Sequence, residues 1–335
     1  MILILLILVS FIFSFLLTKL VKQKFYPQLL DIPNERSSHI VATPRGGGLS
    51  FIIAFAITGL AYVILDDHFP RLVTGQISLP DFLYLWLALT PLAIIGLIDD
   101  YKTLSARVRY LVQLVVAVLI TVHFGLIPLP GVSSLNTPSL ILDAVFTVIS
   151  ITALINFYNF MDGLDGLVAS VTALQLISIS FYFAQPFYLL LATAIIGFLW
   201  WNWSPAKIFM GDVGSTVLGA IIAIALLSNH NHLIQVWSAL TVTFPLIGDA
   251  IYTIIRRLLR KENIFQAHRS HLYQRLQQSG WSHEQVTICY LALTLVFTTV
   301  ITWLDVWAIV VNFCLIVIFI WIAELYLTSK EASLR

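Results

Sequence analysis

Charge is what this chain lacks. Of its 335 residues only 18 are Lys or Arg and 17 are Asp or Glu, 10% together, against roughly a quarter in soluble domains. So few ionic side chains cannot coat the water-facing surface of a chain this long, which excludes an ordinary soluble enzyme and also a disordered chain. The formal net charge of +1 leaves no basic excess for a nucleic-acid partner. Two cysteines are too few for a disulfide-stapled secreted domain. Internal repeats and low-complexity tracts are missing as well. The longest polar segment, 256–285, is about 30 residues, too short for a core of its own.

What is present is apolar: 59% of residues are hydrophobic and the mean hydropathy is +0.93. Apolar runs bounded by charges or turn residues predict eleven helical spans, at 1–18, 47–65, 82–98, 107–125, 140–158, 166–184, 187–203, 213–228, 233–255, 286–303 and 306–327. Their apolarity is continuous rather than alternating, which favours helices over a barrel. The expected fold is an all-α polytopic membrane protein, one integral membrane domain over 1–335. The first run has its lysines after it rather than before it, so it reads as an anchor and not a cleaved leader. Counting the connections alternately from an external N-terminus places every Lys and Arg except Arg71 in inner segments. These are 19–46, 99–109, 159–166, 204–212, 256–285 and the C-terminal tail. This asymmetry predicts the N-terminus outside and the C-terminus inside.

Five polar stretches fall in five of those inner segments. The first is Asp31-Ile-Pro-Asn-Glu-Arg36-Ser-Ser-His39, continuing to Thr43-Pro-Arg45-Gly-Gly-Gly48. Three glycines opening a helix predict backbone N–H groups aimed at an anion, with Arg36, His39 and Arg45 nearby; a hinge is the plainer alternative. The second is Asp99-Asp100, two repelling carboxylates at a helix end of unfavourable dipole. They predict a cation or general-base site, unless Lys102, Arg107 and Arg109 simply balance them. In the third, Asn156, Asn159, Asp162 and Asp165 recur every three residues, which predicts one oxygen-bearing stripe on a helix. The fourth sets Asp212 between Gly211 and Gly214, as a helix cap alone or a cap that also binds metal. The fifth, His268-Arg269-Ser-His271, spaces two histidines to share a helix face. With no third His or Cys nearby, a phosphate-binding cluster fits better than zinc. A snorkelling surface helix is the alternative.

Carboxylate and amide oxygens without thiols favour a hard cation, Mg²⁺ with Mn²⁺ as its substitute, bridging protein acids to phosphates. Cationic loops around it point to a soluble phosphorylated substrate, and the membrane boundary points to a lipid as the second. Bringing two phosphate dianions to about 5 Å costs roughly 13 kcal/mol at an effective dielectric of about 20. A divalent ion with several Arg and Lys can offset that, whereas one or two histidines cannot.

In this order, the five stretches resemble the polyprenyl-phosphate N-acetylhexosamine-1-phosphate transferases, the superfamily of the phospho-MurNAc-pentapeptide translocase. The match runs over residues 31–275. The resemblance implies a Mg²⁺-dependent enzyme of the bacterial inner membrane, working at the cytoplasmic face. It would transfer sugar-1-phosphate from a UDP-N-acetylhexosamine to undecaprenyl phosphate and release UMP. By motif it implies that Asp212 binds the metal with Asp162 beside it, and that Asp99 is a base or orienter for the lipid phosphate with Asp100 next to it. Asn156, Asn159, Asp162 and Asp165 would hold the nucleotide and the metal environment, His268, Arg269 and His271 the diphosphate or sugar, and Arg45 a phosphate.

The fifth stretch departs from the peptidoglycan branch, which carries three successive histidines there. It looks closer to the branch that initiates O-antigen, common antigen or teichoic acid linkage units. UDP-GlcNAc, UDP-GalNAc or a 6-deoxy amino sugar then stand ahead of MurNAc-pentapeptide. Expected partners are the UDP-sugar, undecaprenyl phosphate and the bilayer, with no nucleic acid and a homodimer left open. A secondary transporter is the rival from another class, but its ionisable groups belong near the bilayer midplane. The acids here gather at inner ends.

Overall fold

Long apolar runs can only satisfy their backbone within a membrane by coiling into helices, and 81% of the described residues are helical. The computed structural model describes residues 2–25, 29–33, 38, 41–68, 77–127, 129, 137–228, 233–264, 266 and 268–333. In chain order the helices are α1 (Ile2–Phe25), α2 (Gly48–His68), α3 (Leu79–Tyr101), α4 (Ala106–Phe124) and α5 (Thr137–Met161). They continue with α6 (Leu167–Tyr182), α7 (Phe187–Asn202), α8 (Asp212–Leu227), α9 (Leu233–Leu240) and α10 (Phe244–Leu259). The last are α11 (Leu272–Gln278), α12 (His283–Leu304) and α13 (Ala308–Ser333). A short antiparallel pair, β1 (Leu30–Asp31) with β2 (Thr43–Pro44), sets Leu30 opposite Pro44 and Asp31 opposite Thr43.

Among the described residues, seven helical stretches are long and apolar enough to cross a membrane. One of them, His283–Ala332, has 50 residues, far beyond the ~20 that one crossing needs. It is broken by a 3₁₀ turn at Asp305–Trp307, where Asp305 adopts φ +43°, and α12 packs against α13. The predicted run 233–255 is likewise divided, into α9, a 3₁₀ turn at Thr241–Thr243, and α10. Helices α6, α7 and α8 have 16 residues each, about 24 Å of rise against a hydrocarbon core of roughly 30 Å.

That shortness has a counterpart in burial. Every residue of α8 from Val213 to Leu227 is buried, as expected of a helix that is apolar on all sides. Around it pack α2, α3, α4, α5 and α6, while α1 lies against α7 and α2. Apolar helices in lipid gain nothing from leaving water, so close packing must hold them. At one end of α8 the backbones nearly touch. A Cβ on Gly48 would lie 2.4 Å from Gly214 Cα, and one on Gly96 would lie 2.6 Å from the Val213 backbone. The end of α3, with Asp99 and Asp100, is thereby set against the start of α8, with Asp212.

Candidate active site

Where these helix ends meet there is a cleft of about 270 Å³. Its lining includes Asp100, Asp162, Asp165 and Asp212 with Arg45, and Gln274 and His283 from the far side. Asp31 lines it too, so five acids from four separate sequence stretches share one cavity with one arginine.

The adjacent Asp99 and Asp100 face different partners. Asp100 accepts the backbone N–H of Asp212 on Oδ1 (3.0 Å) and of Val213 on Oδ2 (3.2 Å). It therefore caps α8 from another helix, where the positive dipole end suits an anion. Asp212 is not the cap the sequence allowed for. The capping position is Gly211, whose side is filled: at φ +77°, a Cβ there would meet Asp100 Oδ2 at 2.3 Å. Asp99 instead accepts Leu104 N–H at 2.6 Å, and its other oxygen takes Arg109 Nη1 at 2.9 Å. The same Nη1 donates to Asp212 Oδ2 at 3.1 Å. One guanidinium nitrogen thus bridges α3 and α8.

The third stretch is brought only partly to the site. Helix α5 ends at Met161, so Asp162 and Asp165 lie on the following turn and the predicted four-residue stripe does not form. Asn156 gives its amide to Gln113 Oε1 at 2.7 Å and Thr152 O at 2.8 Å, and it is not among the cleft residues. Asn159 donates to Ser215 Oγ at 3.1 Å, at the start of α8. Burial, and then the Asp212 and Asp100 carboxylates, push Asp162 up to about 8. Burial also pushes Asp165 up, but the His283 imidazole and the Ala206 N–H outweigh it, and Asp165 lies below its ordinary value. Its contacts are Ala206 N–H at 3.0 Å and His283 Nδ1 at 3.3 Å.

Two of the three N–H groups of the glycine triplet are already taken within the protein. The N–H groups of Gly47 and Gly48 go to the carbonyls of Phe209 and Met210, both at 2.9 Å, stitching the first inner segment to the turn before α8. Arg45 reaches the cleft from β2, with Nη2 on Asp31 Oδ2 at 2.6 Å. Arg36 and His39 lie outside the described residues, as does Arg71.

The fifth stretch is corrected most. It is a turn rather than a helix up to His271, and α11 starts at Leu272. His268 and His271 still come together, with ring centres 4.9 Å apart, but neither lines the cleft. His271 is 4% exposed, with Nδ1 3.7 Å from the carboxylate of Asp249. Arg269 points its Nη2 to Ser38 Oγ at 3.3 Å, on the cleft rim.

Sequence reasoning overlooked three positions. In sequence Arg109 reads only as charge balance. His283 gave no signal in sequence, being a lone histidine at the start of an apolar run. Asp249 did carry one: an isolated acid inside a predicted span. It is 1% exposed and accepts Leu272 N–H, Tyr273 N–H and Tyr290 O–H at 2.7–2.9 Å, which anchors α11. Tyr273 then donates to Phe160 O at 3.0 Å, beside the turn that bears Asp162.

Among the described residues, no group of three or more His, Cys, Asp or Glu side chains forms a ready-made metal cage. Mg²⁺ does not need one: it commonly takes one or two carboxylates and completes its shell with water and substrate phosphate. Asp162 and Asp212, hard donors on one cleft with anionic charge in excess, fit such an ion.

Residues 82–230 match the model of glycosyl transferase family 4. Over 290 residues the chain is 32% identical to decaprenyl-phosphate N-acetylglucosaminephosphotransferase of Mycobacterium leprae, covering 76% of this chain and 72% of that one. It is 28% identical over 280 residues to phospho-N-acetylmuramoyl-pentapeptide-transferase of Deinococcus radiodurans, covering 78% and 85%. The enzyme of that name from Staphylococcus epidermidis is 27% identical over 328 residues, 90% of this chain and 97% of that one.

Proposed function

Because this chain belongs to glycosyl transferase family 4, we propose that it transfers N-acetylhexosamine-1-phosphate from a UDP-amino sugar to a polyprenyl phosphate. The products are a polyprenyl-diphosphate sugar and UMP, and the reaction opens the synthesis of a cell-surface glycan such as O-antigen. One observation carries this reading: Asp162, Asp165 and Asp212 converge with Arg45 in a single cleft at the shared end of apolar helices. A transporter would need its ionisable groups at mid-depth.

In this reaction an oxygen of the lipid phosphate attacks the β-phosphorus of the UDP-sugar, and the bond to the α-phosphate breaks as UMP leaves. The diphosphate bond made resembles the one lost, so UMP should reverse the reaction. Positioning and charge stabilisation supply most of the catalysis in phosphoryl transfer. Asp212 and Asp162 would hold Mg²⁺, which neutralises the diphosphate charge when bound. Asp100 fixes the start of α8 and hence Asp212. Asp99 orients Arg109, while Arg45 and Arg109 provide the cations that phosphates require.

Eleven crossings with the N-terminus outside, and the cleft on the cytoplasmic side of the inner membrane, agree with the distribution of Lys and Arg. Transfer of phospho-MurNAc-pentapeptide is the second reading, favoured by similarity to the Deinococcus enzyme. His268-Arg-Ser-His271 favours the first. Purified protein in nanodiscs with undecaprenyl phosphate and Mg²⁺, offered UDP-GlcNAc, UDP-GalNAc and UDP-MurNAc-pentapeptide, should make lipid-linked product from an amino sugar of the first kind. Product from the pentapeptide substrate alone would replace this reading with the second. Stoichiometric UMP release in a single turnover without lipid phosphate would contradict direct attack.

A further inference from the structure

We propose that Arg109 is the resident counter-ion of the cation site. It holds Asp212 while no divalent ion is bound, gives up that carboxylate when one arrives, and then meets a substrate phosphate while Asp99 keeps hold of it. This rests on the reading that Asp212 is a metal ligand.

Two observations and one electrostatic argument favour a handover. First, one nitrogen serves both acids: Nη1 lies 2.9 Å from Asp99 Oδ2 and 3.1 Å from Asp212 Oδ2. A guanidinium has five N–H donors in a rigid fork, and among the described residues the side chain of Arg109 makes no other hydrogen bond. The rest of the fork is therefore free for a planar bidentate partner, which a phosphate supplies. Second, the two anchors are unequal. The Asp99 side chain is 8% exposed and its second oxygen is fixed by Leu104 N–H, whereas that of Asp212 is 25% exposed and faces the cleft. The Asp99 contact is the one built to persist. Third, a divalent ion on the Asp212 carboxylate would place two cations against the same group, and like charges at such separations repel strongly where water is limited.

The base of the lever is fixed. Ser105 caps α4 by accepting Val108 N–H, and Arg109 N–H bonds Ser105 O. Only the long side chain has to swing.

The test measures Mn²⁺ binding by electron paramagnetic resonance in detergent without substrates, and turnover separately. Arg109→Gln, at a part-exposed position, should tighten Mn²⁺ binding by at least about tenfold, the equivalent of one charge-assisted hydrogen bond to a competing cation. The same variant should lose turnover by roughly 100-fold or more, the scale of removing a stabilising donor. Arg109→Lys should leave Mn²⁺ affinity near that of the wild type. Arg45→Gln removes a neighbouring charge that is bonded to Asp31 instead, and it controls for general electrostatics. A gain in Arg109→Gln no larger than in Arg45→Gln, or full turnover in Arg109→Gln, would overturn the proposal. Equal Mn²⁺ affinity in wild type and Asp212→Asn would instead overturn the metal assignment beneath it.

Discussion

Asp99 and Asp100 are neighbours in sequence with opposite duties: one orients an arginine, the other caps a helix. Adjacent residues on a helix point about 100° apart, so a pair of carboxylates announces a site without saying which partner each will find. Asp162 shows what the crowding of acids does. Its proton is held up to about 8 by burial and by Asp212 and Asp100, and a metal ligand must be deprotonated to bind. A divalent ion therefore competes with a proton below that value, and affinity should rise as pH rises. Between pH 6.5 and 8.5, Mn²⁺ affinity of the wild type should increase, and Asp162→Asn should bind more weakly with a flatter dependence. A pH-independent wild type would remove Asp162 from the ligand set.

At the element scale, the acids and glycines were legible in the sequence because nothing else explains such residues between apolar runs. Their geometry was not, because it depends on where helices stop. The spacing of Asn156, Asn159, Asp162 and Asp165 promised a stripe only for as long as α5 continued, and it ends at Met161. Two glycines that looked like an anion cradle are close-packing devices, Gly47 against Phe198 of α7 and the Phe209 carbonyl and Gly48 against Gly214 of α8, a distinction that only the neighbouring segments reveal. Gly96→Ala would drive a methyl into the Val213 backbone and should cost about 1–3 kcal/mol by overpacking. It should lower the unfolding temperature and, by parting Asp99 from Asp212, cut turnover as well. Asp249 holds α11 from α10 and α12. Asp249→Ala would strand these buried donors at a cost of roughly 3 kcal/mol, so amide exchange across 268–278 should rise sharply while α8 stays protected. Unchanged exchange would show that α11 has another anchor.

For the whole molecule, composition alone fixed the class of the fold, since a chain this poor in charge needs lipid around it. The positions of the apolar runs foretold the helices well. They could not foretell that α6, α7 and α8 are short and interior, because burial in protein and burial in lipid call for the same residues. Sidedness rests on the Lys and Arg asymmetry and can be tested directly. In a background lacking Cys289 and Cys314, a cysteine at Ser78 should react with an impermeant maleimide on intact cells, and one at Gln278 only after permeabilisation. Labelling of both from one side would contradict the proposed arrangement.

The central claim is a transfer between two phosphates in the cleft of Asp162, Asp165 and Asp212. Its most direct measurement is UMP release by purified protein given undecaprenyl phosphate, Mg²⁺ and a UDP-amino sugar, compared with Asp212→Asn. The account predicts UMP only when both substrates and the ion are present, with the variant slower by roughly 100-fold or more. Wild-type UMP release indifferent to lipid phosphate, or a fully active Asp212→Asn, would contradict it.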